Sequence, residues 1–538
     1  MLKKLFEYKW LILIVILAAV LRFGGLSQMP PSLNWDEVSH GYNAYSILKT
    51  GHDEWGQLLP VTNFRAYGDY PLPLNLYLTI PFEVLFGLTT TAIRLPHALL
   101  GTLTIVAVYF LAFGVTKNKK ASLIAAFLAA VDPWLLFPSR AVFQSNLSVF
   151  FLTAGMAAFF NRGKNKWLVS LSFLFLGLTL FSHHSTRIFV PIFLVGFALI
   201  YKKIKYLVLS ILGVVLILLP GAQARANVVF LIDQGAVSQI ENLRNTSTLP
   251  LKSLIYNKVT YFAVNFGKNY ITYFSPKFLF LNGGTQYQFS VPNQGVLYLI
   301  TLPFFYIGIL LVFLQAKKRE DKNYKLILFW LILAPIPAAI TQDNGAVIRA
   351  TTMLPIPEIL TAFGIYKILR RVPKYEVLFT IIFIFAMLFS LENYLNVYAK
   401  SYRTNYSWAW QYGYEQIVDY SKENYNKYDN IIVTKAYGEP HEYFLFFMKY
   451  DPSKYMNDPN LIRFSQSNWY WVDHFDKFWF VNDWLVKDLV TESKHKIDCV
   501  TQKCLLITTP NNAPKGFRKI NEVKFLDGKT AFEIYLNK

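Results

Sequence analysis

Residues 9–50, KWLILIVILAAVLRFGGLSQMPPSLNWDEVSHGYNAYSILKT, set two kinds of segment side by side. The apolar run 10–26 approaches the length that crosses a hydrocarbon core roughly 30 Å thick. Lys3, Lys4 and Lys9 precede it and no small-residue cleavage pattern follows, so it reads as a retained signal anchor. A few residues later Asn34-Trp35-Asp36-Glu37 opens the stretch 36–50, in which Val38, Tyr42, Tyr45 and Leu48 recur at helical spacing. An anchor followed at once by an acidic, tyrosine-rich helix places ionisable chemistry at a membrane surface.

The rest of the chain repeats the first half of that pattern. Of its 538 residues 54% are hydrophobic and 16% charged, and the mean hydropathy is +0.31. A soluble domain carries about 25% charge to cover its surface. The composition excludes a disordered chain, a collagen-like chain and an ordinary soluble enzyme. Apolar runs recur at 10–26, 94–115, 121–137, 146–160, 167–182, 187–201, 206–220, 294–315, 325–341, 351–368 and 375–391. The shorter ones need flanking residues or a locally thinned bilayer to cross.

The charges orient these runs. Net charge is +20, from 53 Lys+Arg against 33 Asp+Glu. The basic amino terminus and the clusters at 117–120, 162–166, 202–205, 317–319 and 370–374 fall on alternate sides of the runs. The positive-inside rule puts all six in the cytoplasm, which predicts an all-α polytopic bundle of about eleven spans, N-terminus in and C-terminus out. The same placement accounts for much of the basic excess and leaves no case for a nucleic-acid partner. Residues 72–88, LPLNLYLTIPFEVLFGL, are also long and apolar. If they crossed, every later cluster would change sides, and they contain Pro73, Asn75, Pro81 and Glu83. They read as an interfacial or re-entrant helix.

Three long pieces then lie outside: 27–93, 221–293 and a tail, 392–538. The tail is charged and aromatic, and reads as a small soluble α/β domain beside a membrane domain at 1–391. Its expected elements are helices at 408–423 and 440–450 and strands at 430–434, 503–508, 518–525 and 530–536. Cys499 and Cys504 are the only cysteines. In an oxidising compartment they either close a short loop as a disulfide or remain thiols.

The first outer piece is the densest site. Asp36 and Glu37 suit a helix N-terminus, where the dipole favours carboxylates. They equally suit a general base toward a hydroxyl, or, with Asp53, Glu54 and Asp69 nearby, a divalent cation site. Arginines stand at four outer span ends: Arg94, Arg140, Arg187 and Arg349. The positive-inside rule disfavours them there. Each alone suits a snorkelling anchor, and the four together suit an anionic phosphate headgroup. Glu358, read as two turns into the tenth span, should face the bundle interior and find a partner. His183 and His184 are adjacent, so on a helix they point about 100° apart and make a poor metal pair. The sequence has no glycine-rich phosphate loop, no HExxH motif and no convincing serine triad.

The order of these features resembles the GT-C superfamily of membrane glycosyltransferases, in particular the bacterial protein O-mannosyltransferase-like and aminoarabinose-transferase-like branch. The resemblance rests on the acidic pair after the first span, the tyrosine-rich helix, the turn Gly68-Asp69-Tyr70-Pro71 with its Pro-Leu-rich helix, and RLPHALLG at 94–101. DPWLLFPSRAVFQSNLSVFF and HHSTRIFVPIF add to it. It covers 10–220 well and 294–391 weakly. It implies a membrane bundle with two juxtamembrane helices, at about 36–50 and 72–88. The implied reaction moves a sugar from a polyprenyl-phosphate carrier to an acceptor glycan, lipid or protein on the outer face of the plasma membrane, usually with inversion.

By that resemblance Asp36 is the base, Glu37 assists it or orients the acceptor, and Arg94 supports the first loop or the carrier phosphate. Arg140, Arg187 and Arg349 are further phosphate candidates by position. Asp69, Tyr70, His183 and His184 are candidate substrate contacts. The resemblance demands no cofactor and is compatible with a divalent cation. Two departures stand out: Pro71 occupies a position where many relatives have lysine, and Gln144 one where relatives often have glutamate. A transporter or flippase of lipid-linked sugars, an outer-surface binding protein, and a polymerase or ligase using a diphosphate carrier are the competing readings.

Overall fold

The computed structural model describes residues 8–219, 222–223, 229–319, 321–466, 469–488 and 497–537. Lys3 and Lys4 of the basic amino terminus, and parts of the outer piece 221–293, lie outside the described residues. The chain forms two compact units: 1–24 with 97–397, and 25–96 with 398–538.

The first unit is helical. Each of the eleven apolar runs holds a helix. Among the described residues five helices are long and apolar enough to cross a membrane alone: Thr90–Thr116, His184–Tyr201, Leu299–Lys317, Ala350–Leu369 and Pro373–Asn405. Helices Lys119–Val131 and Pro133–Arg140 pass that test together, with a 60° bend between them. The bend has a local cause: Asp132 ends the first helix and its side chain accepts from Trp134 N at 2.6 Å, while Pro133 opens the next helix where no N–H is needed. Helices Lys9–Phe23, Gln144–Phe160 and Lys166–Thr179 are shorter. By length and apolar composition the five long helices and the bent pair are candidates to cross a membrane.

Packing in this unit rests on small residues and buried arginines. Helices Leu302–Arg319 and Ile356–Leu369 touch backbone to backbone. A Cβ on Gly308 would overlap the Leu360 carbonyl, and one on Gly364 the Phe304 carbonyl. Close approach of this kind is how helices associate where lipid is as apolar as leucine. Arg22, fully buried, donates to Ala130 O at 2.9 Å and Ala129 O at 3.2 Å, the last carbonyls of helix Lys119–Val131. Such carbonyls have no partner inside their own helix. Glu358 sits in the first turn of the α-helix Ile356–Leu369, about two turns into the apolar segment Ala350–Leu369. It is buried, as expected, and Asp132 faces it.

The second unit holds a seven-stranded sheet. Strands β1 (Asn430–Thr434), β2 (Ile462–Gln466), β3 (Trp469–Phe475), β4 (Phe478–Val481), β5 (Cys504–Thr508), β6 (Phe517–Lys524) and β7 (Thr530–Asn537) lie in the order β2-β3-β4-β1-β5-β7-β6. β1 pairs parallel with β4 and β5, in the register Ile432↔Trp479 and Ile432↔Leu506. Every residue of β1 and β5 is buried, which is what a central strand covered on both faces requires. Cys499 and Cys504 are joined as a disulfide.

The expected strands at 430–434, 503–508, 518–525 and 530–536 coincide with β1, β5, β6 and β7. Strands β2, β3 and β4 were not anticipated. WYWVDHF at 469–475 mixes aromatic and charged residues, and its burial does not alternate. The helix expected at 408–423 begins only at Tyr414, because Gln411 and Gly413 take left-handed conformations. That expected at 440–450 ends at Phe447.

Helices α1 (Trp35–Thr50) and α2 (Leu74–Phe86) belong to the same unit. Both fall where the sequence places them. α1 packs on helix α3 (Pro440–Phe447). The two approach so closely that a Cβ on Gly41 would lie 2.6 Å from the Phe446 ring.

Candidate active site

The local sequence sets the start of α1. The Asn34 side chain accepts from Glu37 N at 3.0 Å, and Glu37 Oε2 accepts from Asn34 N at 3.2 Å. This reciprocal cap ties down two N–H groups that would otherwise lack partners. It also separates the two neighbouring acids. Glu37 points inward and is fully buried, and Asp36 remains half-buried.

Glu37 meets Arg94 as a two-pronged pair. Arg94 Nε to Glu37 Oε1 and Arg94 Nη2 to Glu37 Oε2 are each 2.8 Å. Arg94 is also fully buried. It donates further to Leu26 O at 3.0 Å, Pro30 O at 3.1 Å and Ser32 O at 2.6 Å. A guanidinium fork suits this multiple duty and an ammonium would not. Arg94 therefore fastens residues 26–37. Glu37 is engaged with that frame.

Asp36 has a different setting. One of its oxygens accepts from the Tyr67 hydroxyl. Burial, and then the Asp36 charge, push the Tyr67 phenol well up, so it stays a protonated donor. Tyr67 stacks at a tilt on Trp469, ring centroids 5.5 Å apart, and Trp35 meets its edge at 6.3 Å. His40, one turn along α1, places Nδ1 2.5 Å from the Asp36 carbonyl. Burial lowers its pKa below 6.5. The carboxylate is thus oriented by a phenol and bordered by three aromatic rings.

Asp69 and Tyr70 are close by in the same unit. Asp69 Oδ1 accepts from Tyr70 N, and the Tyr70 hydroxyl lies 2.8 Å from that of Tyr470. Arg65 lies over the rings of Trp55 and Tyr470, and Arg463 over Trp55. Beyond Trp469 stand Glu439, His441, Glu442 and Glu54, all buried. Burial pushes Glu439 and Glu54 up to about 7 and raises Glu442 well above the usual carboxylate range. It lowers His441 to about 3, so that imidazole is neutral. None of Tyr67, Trp469, His441 or Glu442 was singled out from the sequence. They are far apart in the chain, and only β3, an unanticipated strand, brings Trp469 beside Tyr67.

The other arginines belong to the helical unit. Arg140 is buried and donates to the carbonyls of Leu21, Arg22 at 3.2 Å and Gly24 at 2.7 Å. It closes the carboxyl end of helix Lys9–Phe23 as Arg22 closes that of Lys119–Val131. Arg187 is buried in the first turn of helix His184–Tyr201, with Nε on Leu180 O at 2.9 Å. Arg349 is half-exposed and pairs with Asp343 at 2.7 Å. The turn that follows it, Ala350–Met353, packs on the Arg187 helix. His183 caps that helix through Nδ1, accepting from Ser185 N at 3.3 Å. It lies within reach of the Arg349 charge. His184 begins the helix and is half-buried.

Two solved structures share this fold. ArnT from Cupriavidus metallidurans, solved bound to undecaprenyl phosphate, superposes with a TM-score of 0.55 over 99% of this chain and 98% of its own, at 11% identity. The oligosaccharyltransferase of Archaeoglobus fulgidus, solved in the apo form, gives 0.51 over 83% of this chain and 64% of its own, at 15% identity. The fold is that of these GT-C glycosyltransferases. Within it, residues 12–235 match the family described as Dolichyl-phosphate-mannose-protein mannosyltransferase. A polyprenol-phosphate-mannose–protein mannosyltransferase of Corynebacterium glutamicum is 32% identical over 158 residues, which are 28% of this chain and 29% of that protein. The match thus spans under a third of that relative's length.

Proposed function

We propose that the protein is a membrane glycosyltransferase that takes a sugar from a polyprenyl-phosphate carrier, and that Asp36 is its general base. The observation that carries this is the division of labour between Asp36 and Glu37. One carboxylate is locked on Arg94, and the other is accessible and oriented by Tyr67. In the reaction, Asp36 removes the proton of an acceptor hydroxyl. The acceptor oxygen then bonds to the anomeric carbon as the carbon–oxygen bond to phosphate breaks. The polyprenyl phosphate leaves with that electron pair, and the anomeric centre inverts. A hydroxyl is a weak nucleophile at neutral pH and needs a positioned base. The departing phosphate gains charge and needs fixed cations.

Mannose is the sugar suggested by the matched family, and a protein hydroxyl the acceptor. The bundle crosses the plasma membrane eleven times with its amino terminus in the cytoplasm, 1–391 being the membrane domain. The tail 392–538 lies outside, as the placement of the basic clusters supports. Family match and fold favour the transferase over a flippase of lipid-linked sugars.

The test is transfer by the purified protein from a synthetic polyprenyl-phosphate mannose to an acceptor peptide. Asp36→Asn should lower kcat by about 10²-fold or more with an unchanged melting temperature. Full activity in that variant would refute the assignment.

A further inference from the structure

Behind the aromatic border of Asp36, three ionisable side chains from two segments of one unit converge in the interior. They are Glu54, between α1 and α2, and His441 and Glu442, on α3. One donor atom from each lies within 4.8 Å of the others. All three are almost wholly buried, at 2%, 3% and 1% exposure. The Glu54 and Glu442 carboxyls reach one another, and His441 Nδ1 has no hydrogen-bond partner among the described residues. Two carboxyls and an imidazole held together out of water call for an explanation.

We infer that Glu54, His441 and Glu442 bind one divalent transition-metal ion of the Zn2+ class, which cross-links the segment after α1 to α3. One imidazole nitrogen and two carboxylate oxygens are a Zn2+ donor set, whereas Ca2+ and Mg2+ take oxygen alone. Two carboxylates and a neutral imidazole around a 2+ ion leave no net buried charge. Zn2+ bonds of about 2.0–2.2 Å put donors roughly 3.3–3.6 Å apart. His441 Nε2 and Glu442 Oε1 are already 3.8 Å apart, and the widest donor pair needs a contraction of about 1 Å.

The surrounding residues fit the same reading. His441 Nδ1 faces Glu439 Oε2 at 3.5 Å, leaving Nε2 on the Glu442 side. Glu439 in turn accepts from Trp469 Nε1 at 2.6 Å. A carboxylate behind a histidine is the usual means of fixing a metal-bound imidazole. Asn43 Nδ2 holds Glu54 Oε1 at 3.2 Å, and the Ser39 hydroxyl bonds to Glu442. Both Asn43 and Ser39 lie on α1, the helix that carries Asp36. The ion would stiffen that helix without touching the reacting atoms.

The experiment uses the full-length protein in detergent, stripped with a chelator and dialysed against Zn2+ alone, or against Co2+ for its absorption bands. About one equivalent should remain by elemental analysis, and the melting temperature should rise. Glu54→Gln and His441→Ala should each lose the ion, and Glu439→Gln should weaken it by about 10–100-fold. Glu54→Gln removes a buried charge, so it remains a folded comparison if His441→Ala does not fold. His52→Ala, outside the cluster, should bind as the native chain does. The inference is overturned if the stripped native chain retains under about a tenth of an equivalent, the result expected if Glu54 and Glu442 merely share a proton. Retention of the ion by both variants overturns it equally. Neither readout depends on sugar transfer.

Discussion

Arg94→Lys is the sharpest test of the frame beneath Asp36. The native guanidinium is fully buried and makes five bonds, two to Glu37 and three to the carbonyls of Leu26, Pro30 and Ser32. Lysine keeps the charge, but its ammonium can satisfy at most three acceptors from a single point. Two or more buried acceptors are then abandoned, at about 1–3 kcal/mol each. Arg94→Ala goes further and leaves Glu37 as an uncompensated buried charge, which costs about 3–5 kcal/mol. For a unit of this size 1 kcal/mol moves the melting temperature by about 2–4 °C. The expected losses are therefore about 4–24 °C for Arg94→Lys, and still larger for Arg94→Ala, which adds the stranded charge to the abandoned carbonyls.

Thermal unfolding in detergent would be read beside hydrogen exchange over α1. Both variants should melt early and lose protection at residues 35–40. Adding Glu37→Gln to Arg94→Ala should recover part of the loss, because the stranded charge is gone. If Arg94→Ala melts as the native protein does while its KM for the polyprenyl-phosphate donor rises, Arg94 binds phosphate and the framing argument is refuted.

Tyr67→Phe keeps the ring against Trp469 but removes the bond to Asp36. It should lower kcat about tenfold in the transfer assay with little change in stability. His40 is held neutral by burial, with its pKa below the 6.5 of the unfolded chain. The unfolded state takes up a proton below pH 6.5 that the folded state refuses, so native stability should fall on acidification, by up to about 1.4 kcal/mol per pH unit from this group. His40→Gln should flatten that slope in melting curves between pH 7 and 5. Gly364→Leu would push a side chain into the Phe304 carbonyl. It should separate two packed helices and cost about 1–3 kcal/mol or more, seen as lower thermal stability or yield.

Much of this was legible in the sequence because it rests on local signals. Hydropathy runs located the helices, and the Asn-Trp-Asp-Glu start and the Pro-Leu-rich segment located α1 and α2. β1 and β5 read correctly because a strand buried on both faces is an unbroken apolar run. What escaped notice depends on distant residues meeting. Glu37 and Asp36 look alike in sequence, and only the approach of Arg94 from 57 residues away separates them. Arg140 is one of four outer arginines until its bonds to the end of helix Lys9–Phe23 are seen. The Glu54, His441 and Glu442 cluster joins positions almost 400 residues apart. Strands β2 to β4 lacked the alternation by which half-buried strands are recognised.

The central claim, that Asp36 is the base of a polyprenyl-phosphate sugar transferase, is most directly tested in cells carrying Asp36→Asn in place of the native protein. The measurement is mass spectrometry of their lipid extract. The account predicts accumulation of a polyprenyl-monophosphate sugar relative to native cells, with the mass giving the sugar. A lipid profile identical to that of native cells, with the variant present and folded in the membrane, would contradict it.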